Sequence, residues 1–314
     1  MIMAGREFAR LCADVGRDKQ NDVTIEMTLS KSEHKSVKIN TVKRARIAEA
    51  VGQLNSVVFS AEDLAMIKGE PAERRRFLNL EISQISPQYM YALAGYKRAL
   101  DQRNALLKTV KARGSGAETL SVWTDRLVEY GSTVILRRLD FIRKLSDLAG
   151  PIHLRLTNEV ESLGMRYEPS FRLDGCETVE DIGAVFEREL AEVSEQELAR
   201  GTTVRGPHRD DVGFEIGGMD LRRFGSQGQQ RTAALAIKLA EAQLVEETTG
   251  EPPVALVDDV MAELDEERRG HVFDLTYGRC QTFATATSLE EFTPEVVAGA
   301  AIFIVRKGEV TRRQ

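Results

Sequence analysis

The stretch FGSQGQQRTAAL at 224–235, followed by VALVDD at 254–259, decides how this chain folds. Ser226 and Gly228 stand where a loop opens a long amphipathic helix. A hydroxyl, the free amides of the first turn and the positive end of the helix dipole therefore converge on one place. Such a place favours an anion, and a γ-phosphate suits it. VALV has the form of a buried parallel strand, and α/β sheets deliver the side chains at C-terminal strand ends to a crevice. Asp258 and Asp259 stand at that end, suited to Mg²⁺ and a hydrolytic water. A nucleotide site has a third part, the phosphate-cradling loop G-x-x-x-x-G-K-[ST], and none occurs in the 314 residues.

A chain of 314 residues, 42% apolar and 29% charged, is long enough for two globular domains and too apolar for disorder. Cys12, Cys176 and Cys280 lie far apart with no C-x-x-C pair, and there are four histidines, so neither a disulfide framework nor a zinc site is supported. A reducing cytoplasm fits. The apolar stretch VVAGAAIFIV at 296–305 is too short to span a bilayer and is predicted to feed a C-terminal core strand. The N-terminus shows no export signal, and the reading is of a soluble protein without a membrane partner. The net charge of −6 argues against a uniformly basic nucleic-acid binder, but charge is uneven along the chain. Between Lys68 and Arg113 ten basic residues face four acidic ones. A solvated helix face is the plain alternative to a binding patch there.

Alternation predicts strands over 6–18 and 22–30, with Phe8, Leu11 and Ala13, then Val23, Ile25, Met27 and Leu29, on one face, and VKIN at 37–40 extending a small antiparallel sheet. Residues 43–52 read as a short helix and LNSVVFS at 54–60 as a buried strand ending in Ala61, Glu62 and Asp63. From Pro71 the pattern is helical: 71–84, a Pro87-led helix to about Arg113, then 118–149 and 151–163, with Gly150-Pro151 as a break. An antiparallel helical arm follows, in which Tyr89, Leu93, Tyr96 and Leu100 recur at the spacing of packing between helices rather than of a base-stacking surface. Beyond Gly164, RYEPSF (166–171) reads as a strand, 177–200 as an acidic helix, and 202–216 as strand, turn and strand. Helix 227–248 stops at Gly250 before Pro252-Pro253. Strand 254–257, helix 265–276 and strand 281–286 then alternate as in a parallel sheet.

In this order, SxGQQR, the DD-terminated strand and the ELD of VALVDDVMAELDEERR (254–269) resemble the C-terminal half of an ABC-ATPase head of the SMC and RecF class. EDLAMIKGEPAERRRFLN at 62–79 resembles a signature of the RecF family, and RGPHRDD at 205–211 and LDQRNALLK at 100–108 are typical of it. The resemblance covers the chain from about Arg6 to Gly308. Ala61 replaces the usual Pro, Glu70 a small residue or Asp, Asn79 an Asp and Val272 a Leu. RecF proteins begin with a strand, a P-loop and a helix, and this sequence starts downstream of all three.

The resemblance implies an α/β ABC-ATPase-type head, with an antiparallel sheet in its first lobe and an inserted helical arm. Its divisions would be a partial first lobe over 1–69, the arm over 70–164 and a second lobe over 165–314. Ser226, Gln227, Gly228 and Gln229 would form the signature motif, a lid over the γ-phosphate of ATP held by the opposite subunit. Asp258 would orient Mg²⁺ through water and Asp259 would be the general base. Asp265 would be the D-loop residue, though alone it passes as a helix N-cap. Glu62, better placed than Gln53, would sense Mg²⁺ and attacking water, and Thr285 and Thr287 would occupy the switch position. Arg74, Arg75, Arg76, Lys97, Arg98, Arg103, Lys108 and Lys111 would contact DNA phosphates. For Arg74 and Arg75, pairing to acids of the head is an equal alternative. A turn histidine such as His208 is usually structural, and no physical role for His208 or Arg209 emerges from the residues.

Three functions compete. A RecF-like mediator would bind DNA at gaps and single-strand/double-strand junctions, dimerise with ATP and Mg²⁺, and help RecO and RecR load RecA in repair and the SOS response. A non-catalytic DNA- or partner-binding adaptor would keep the fold without turnover. A transporter ATPase subunit fits less well, given the ERRRFL arm and the absence of a switch histidine. Without a P-loop the β- and γ-phosphates have no cradle in cis. Either the protein starts upstream or it is a P-loop-less form.

Overall fold

The computed structural model describes residues 2–17, 21–32, 34–113, 119–259, 269–270 and 279–313. The first strands are β1 (Phe8–Val15), β2 (Val23–Ser30), β3 (Ser36–Ile39) and β4 (Val42–Lys43), an antiparallel sheet in that order. Val23, Leu29, Val37 and Ile39 are buried as alternation requires, whereas Phe8 and Leu11 of edge strand β1 are exposed. The helix expected over 43–52 is reduced to one 3₁₀ turn, Ile47–Ala50. Gly52, with φ of +79°, ends the segment before an α-helix repays its nucleation.

Strand β5 (Ser56–Ser60) leads through a 3₁₀ turn at Ala61–Asp63 into α1 (Leu64–Lys68). The arm helices are α2 (Pro71–Ile85), α3 (Pro87–Arg113) and α4 (Leu120–Leu156). Pro71 sits in the first turn of α2, where its missing N–H costs nothing. Pro151, expected as a break, lies inside α4 instead. The last turns survive because Ala149, Ile152 and Leu156 are buried on both sides of the proline, so packing outweighs the one lost hydrogen bond. The chain then enters β6 (Leu163–Glu168), ahead of the expected strand. Tyr89, Leu93 and Tyr96 are buried and Leu100 packs against the same core, as their spacing predicts. That core runs unbroken from α2, α3 and α4 into the C-terminal half.

The acidic helix expected over 177–200 is two, α5 (Val179–Glu192), capped by Thr178, and α6 (Ser194–Arg200). Of 202–216 only β7 (Asp211–Ile216) is a strand, paired between β6 and β8 (Met219–Asp220). The preceding RGPH cannot extend: Gly206 has φ of +123°, and a Cβ there would lie 2.6 Å from Tyr96 Oη. Asp220 caps the short α7 (Leu221–Phe224), which leads into α8 (Gln227–Thr249). Helix α8 ends at Gly250 in the left-handed conformation, φ +77°, the stop read from the sequence.

Strand β9 (Val254–Asp258) pairs in parallel with β5 on one side and β10 (Thr282–Thr285) on the other. The helix expected over 265–276 lies outside the described residues. A helix α9 (Pro294–Gly299) and a hairpin of β11 (Phe303–Arg306) and β12 (Glu309–Arg312) follow. Contrary to expectation, 296–305 does not supply a core strand. Part of it is helix, and β11 is exposed and pairs only with β12 among the described strands. No helix among the described residues is long and apolar enough to cross a membrane.

Candidate functional site

The parallel register brings three strand ends level: Ser60 pairs with Asp258, and Asp258 with Thr285. Thr285 Oγ1 donates to Asp258 Oδ1 at 2.7 Å and accepts from the Asp259 amide at 3.0 Å. Asp259 leaves the strand with φ of +52°. Both carboxylates are exposed, and Glu62 is exposed in the 3₁₀ turn that follows β5. Thr287 donates instead to Glu291 Oε1 at 3.0 Å, so the strand-end hydroxyl that joins the acids is that of Thr285. Among the described residues no group of three or more His, Cys, Asp or Glu forms a metal cage. A pair of acids and a hydroxyl suits Mg²⁺, which keeps waters and takes substrate phosphates in place of protein ligands. Asp265 lies outside the described residues.

The mouth of α8 is a reciprocal cap. Ser226 Oγ accepts from the Gln229 amide at 3.2 Å, and Gln229 Oε1 accepts from the Ser226 amide at 2.8 Å. Gln227 and Gly228 occupy the first turn, exposed, with their amides directed out of the helix end. A Cβ at Gly228 would meet nothing nearer than Ser226 Oγ at 3.9 Å, so packing within the chain does not demand a glycine there. Phe224 and Val160, 71% and 80% exposed, stand in the chain two residues before Ser226 and one before Glu161. Gln229 Nε2 donates to Glu161 Oε1 at 2.8 Å.

A buried polar cluster links the turn after β5, α2 and α8. Lys238 Nζ donates to Glu241 Oε2 at 2.5 Å, both side chains being buried. Burial pushes the Glu241 carboxyl well up, and the neighbouring Glu81 adds to it. Asp63 is likewise raised by burial, against the attraction of Lys238.

The arm is fastened to RGPHRDD by arginines. Arg74, buried, forms a bidentate pair with Asp211, Nε to Oδ1 at 2.5 Å and Nη2 to Oδ2 at 2.9 Å. Arg75 Nη1 donates to Asp210 O at 2.8 Å. Arg74 thus takes the internal alternative, and its guanidinium is closed to a DNA phosphate. Arg103, expected to contact DNA, is corrected in the same way. It is buried against Glu197 at 2.6 Å and donates to Thr203 Oγ1 and Thr124 Oγ1, because a guanidinium on the inner face of α3 must find acceptors. Arg76, Lys97, Arg98, Lys108 and Lys111 are exposed.

His208 now has a physical role. Its Nε2 faces Thr203 O at 3.1 Å, which can only accept, so Nδ1 accepts the Tyr96 hydroxyl at 2.6 Å. Burial pushes the imidazole down to about 4, with Arg209, Arg75 and Arg103 adding to the effect. Arg209, exposed, donates to Thr203 O at 3.4 Å. Two further hub residues escaped the sequence reading. Arg138, buried in α4, donates to Tyr89 Oη, Pro207 O and Asn79 Oδ1 at 3.0, 2.7 and 2.9 Å. Its signal was there: an arginine in phase with Leu127, Val134, Ile135 and Leu145 on an apolar helix face. Glu161 carried no such signal, since only the folded loop brings it to Gln229.

A parallel sheet with an acid-tipped central strand, a Ser-capped helix mouth and an inserted set of arm helices make up an α/β head with a helical arm. Among curated proteins, the chain is 39% identical over 311 residues to the DNA replication and repair protein RecF of Oceanobacillus iheyensis, covering 99% of this chain and 84% of that protein. It is 40% identical over 312 residues to RecF of Geobacillus kaustophilus, covering 99% and 83%. Its fold matches the solved structure of the recombination mediator protein RecF-ATP of the RecFOR pathway with a TM-score of 0.91, at 32% identity, over 99% of this chain and 81% of the other. No family model matches the chain. The chain belongs to the RecF family.

Proposed function

We propose that the protein is a RecF-type DNA repair protein whose α8 mouth closes over the triphosphate held by a second subunit. The observation that carries this is Gly228, exposed beside the Ser226 cap, where nothing in its own chain occupies the space of a side chain. The exposed Phe224 and Val160, close in the chain to Ser226 and Glu161, are apolar side chains that an association surface would cover. Ser226, Gln227, Gly228 and Gln229 bind the γ-phosphate in trans. Asp258, held by Thr285, orients Mg²⁺ through water, Asp259 polarises the attacking water, and Glu62 senses both. These residues fit Mg²⁺. They are not themselves a cradle for the β- and γ-phosphates, which takes a Gly-rich loop and its lysine.

The head would divide into lobes 1–69 and 165–314 with the arm 70–164 between them. DNA at gaps and single-strand/double-strand junctions lies on the arm, touched by Arg76, Lys97, Arg98, Lys108 and Lys111. The assembly acts in the cytoplasm with RecO and RecR to load RecA. One alternative is a DNA- or partner-binding adaptor that assembles without turnover. The test is to mix the chain with the RecF protein whose ATP complex is known and follow association by sedimentation. ATP should drive a mixed dimer, and Ser226→Arg should abolish it; association indifferent to ATP would leave the adaptor.

A further inference from the structure

The lid reading leaves one contact at the flank of α8 unexplained. The Gln229 amide uses its oxygen for the Ser226 cap and its nitrogen for Glu161, both at 2.8 Å. An amide has one acceptor end and one donor end, so with the oxygen committed to the cap, the acceptor at Glu161 fixes which way the group faces.

Glu161 is itself pinned to the arm. Its amide donates to Thr157 Oγ1 at 3.3 Å, and its carbonyl accepts from His153 Nδ1 at 3.0 Å. Thr157 Oγ1 passes the connection to His153 O at 2.9 Å. His153 is fully buried in the last turns of α4, so this anchor belongs to the helix rather than to a loose loop. Asn158 and Glu159, at φ of +51° and +64°, fold the chain back onto those turns. Two consecutive left-handed non-glycine residues cost on the order of 1 kcal/mol each, a conformation retained where the surroundings impose it. Helix α4 packs along both α3 and α8 and, at 37 residues, is a rod of roughly 55 Å.

We propose that Glu161 is a positioning residue that ties the Gln229 amide, and with it the cap at the phosphate-facing mouth of α8, to the end of arm helix α4. A shift of α4 on the arm side then reorients the lid. This regulation rests on the lid reading above. It requires an acceptor at position 161 rather than a charge, so Glu161→Gln keeps it and Glu161→Ala removes it.

The test has two readouts on the full chain. Amide hydrogen exchange over 226–230 should rise about fivefold in Glu161→Ala, the effect of one lost hydrogen bond, and stay near the wild-type rate in Glu161→Gln. ATP-driven association with the RecF protein whose ATP complex is known should weaken in Glu161→Ala, recover in Glu161→Gln and vanish in Ser226→Arg. Unchanged exchange in Glu161→Ala, or equal losses in the two Glu161 variants, overturns the tie. Altered exchange with wild-type association, while Ser226→Arg is inactive, overturns its regulatory part. If Ser226→Arg associates as the wild type does, the lid reading fails, whereas the exchange result alone still decides the tie.

Discussion

Thr285 and Asp258 meet at the tip of the parallel sheet, hydroxyl to Oδ1 at 2.7 Å, and the same hydroxyl accepts the Asp259 amide at 3.0 Å. One side chain from β10 therefore aims one acid and holds the backbone of the next. Asp259 sits at φ of +52°, a region that Asp and Asn tolerate better than other non-glycine residues. Asp259→Asn thus changes charge without changing backbone preference. In a chimera carrying the upstream cradle segment of a RecF relative, it should lower ATP turnover by at least about 10²-fold while ATP-driven dimerisation persists. Equal loss of both would count against the assigned base.

The same geometry separates Thr285 from Thr287. In that chimera Thr285→Val should cut turnover on the order of 10²-fold and Thr285→Ser should retain it, since serine keeps the hydroxyl that positions both acids. Thr287→Val, whose bond runs to Glu291, should leave turnover within about twofold. A steady-state phosphate-release assay decides between them.

Basic residues of the arm divide by burial. Arg103→Met strands the buried Glu197 and should cost about 3–5 kcal/mol in urea unfolding, with DNA binding lost only as far as the fold is lost. Arg76, whose side chain is 80% exposed, behaves oppositely. Arg76→Ala should leave stability unchanged and reduce the salt dependence of duplex DNA affinity by about one counterion, measured by anisotropy titration at several salt concentrations.

His208 makes stability fall in acid. Its imidazole is held neutral down to about 4 by burial, whereas an unfolded histidine titrates near 6.5. Because the folded value is depressed, the unfolded chain takes the proton first. The contribution is intact above about pH 6.5 and is lost as pH falls toward 4, reaching about 3 kcal/mol. His208→Gln, which offers one donor and one acceptor to the same partners, should flatten that part of the profile in urea melts at pH 7, 6, 5 and 4.

The sequence made the site legible where chemistry is local. Ser226 before a long apolar-faced helix, Gly250 after it and a VALV run ending in two acids each carry their meaning within a few residues, and each stands where those patterns put it. What stayed hidden depends on contacts distant in the chain. Arg74 pairs across 137 residues with Asp211, and Arg103 across 94 residues with Glu197, so an arginine run that reads as a basic surface is in part a set of internal fastenings. Gly150-Pro151 reads as a stop, but burial on both sides of it decides otherwise. The stretch 296–305 is apolar enough for a core strand, yet nothing in its composition reveals that it pairs only within its own hairpin among the described strands.

In the proposed assembly this chain lays its α8 mouth on a triphosphate gripped by another subunit. An ATP analogue bearing a photoreactive group on the γ-phosphate, bound first to the RecF protein whose ATP complex is known and then mixed with this chain, tests it most directly. Irradiation should label this chain at residues 226–229, only when the partner is present, and Ser226→Arg should remove the label. Label confined to the partner, or found equally on this chain alone, would contradict it.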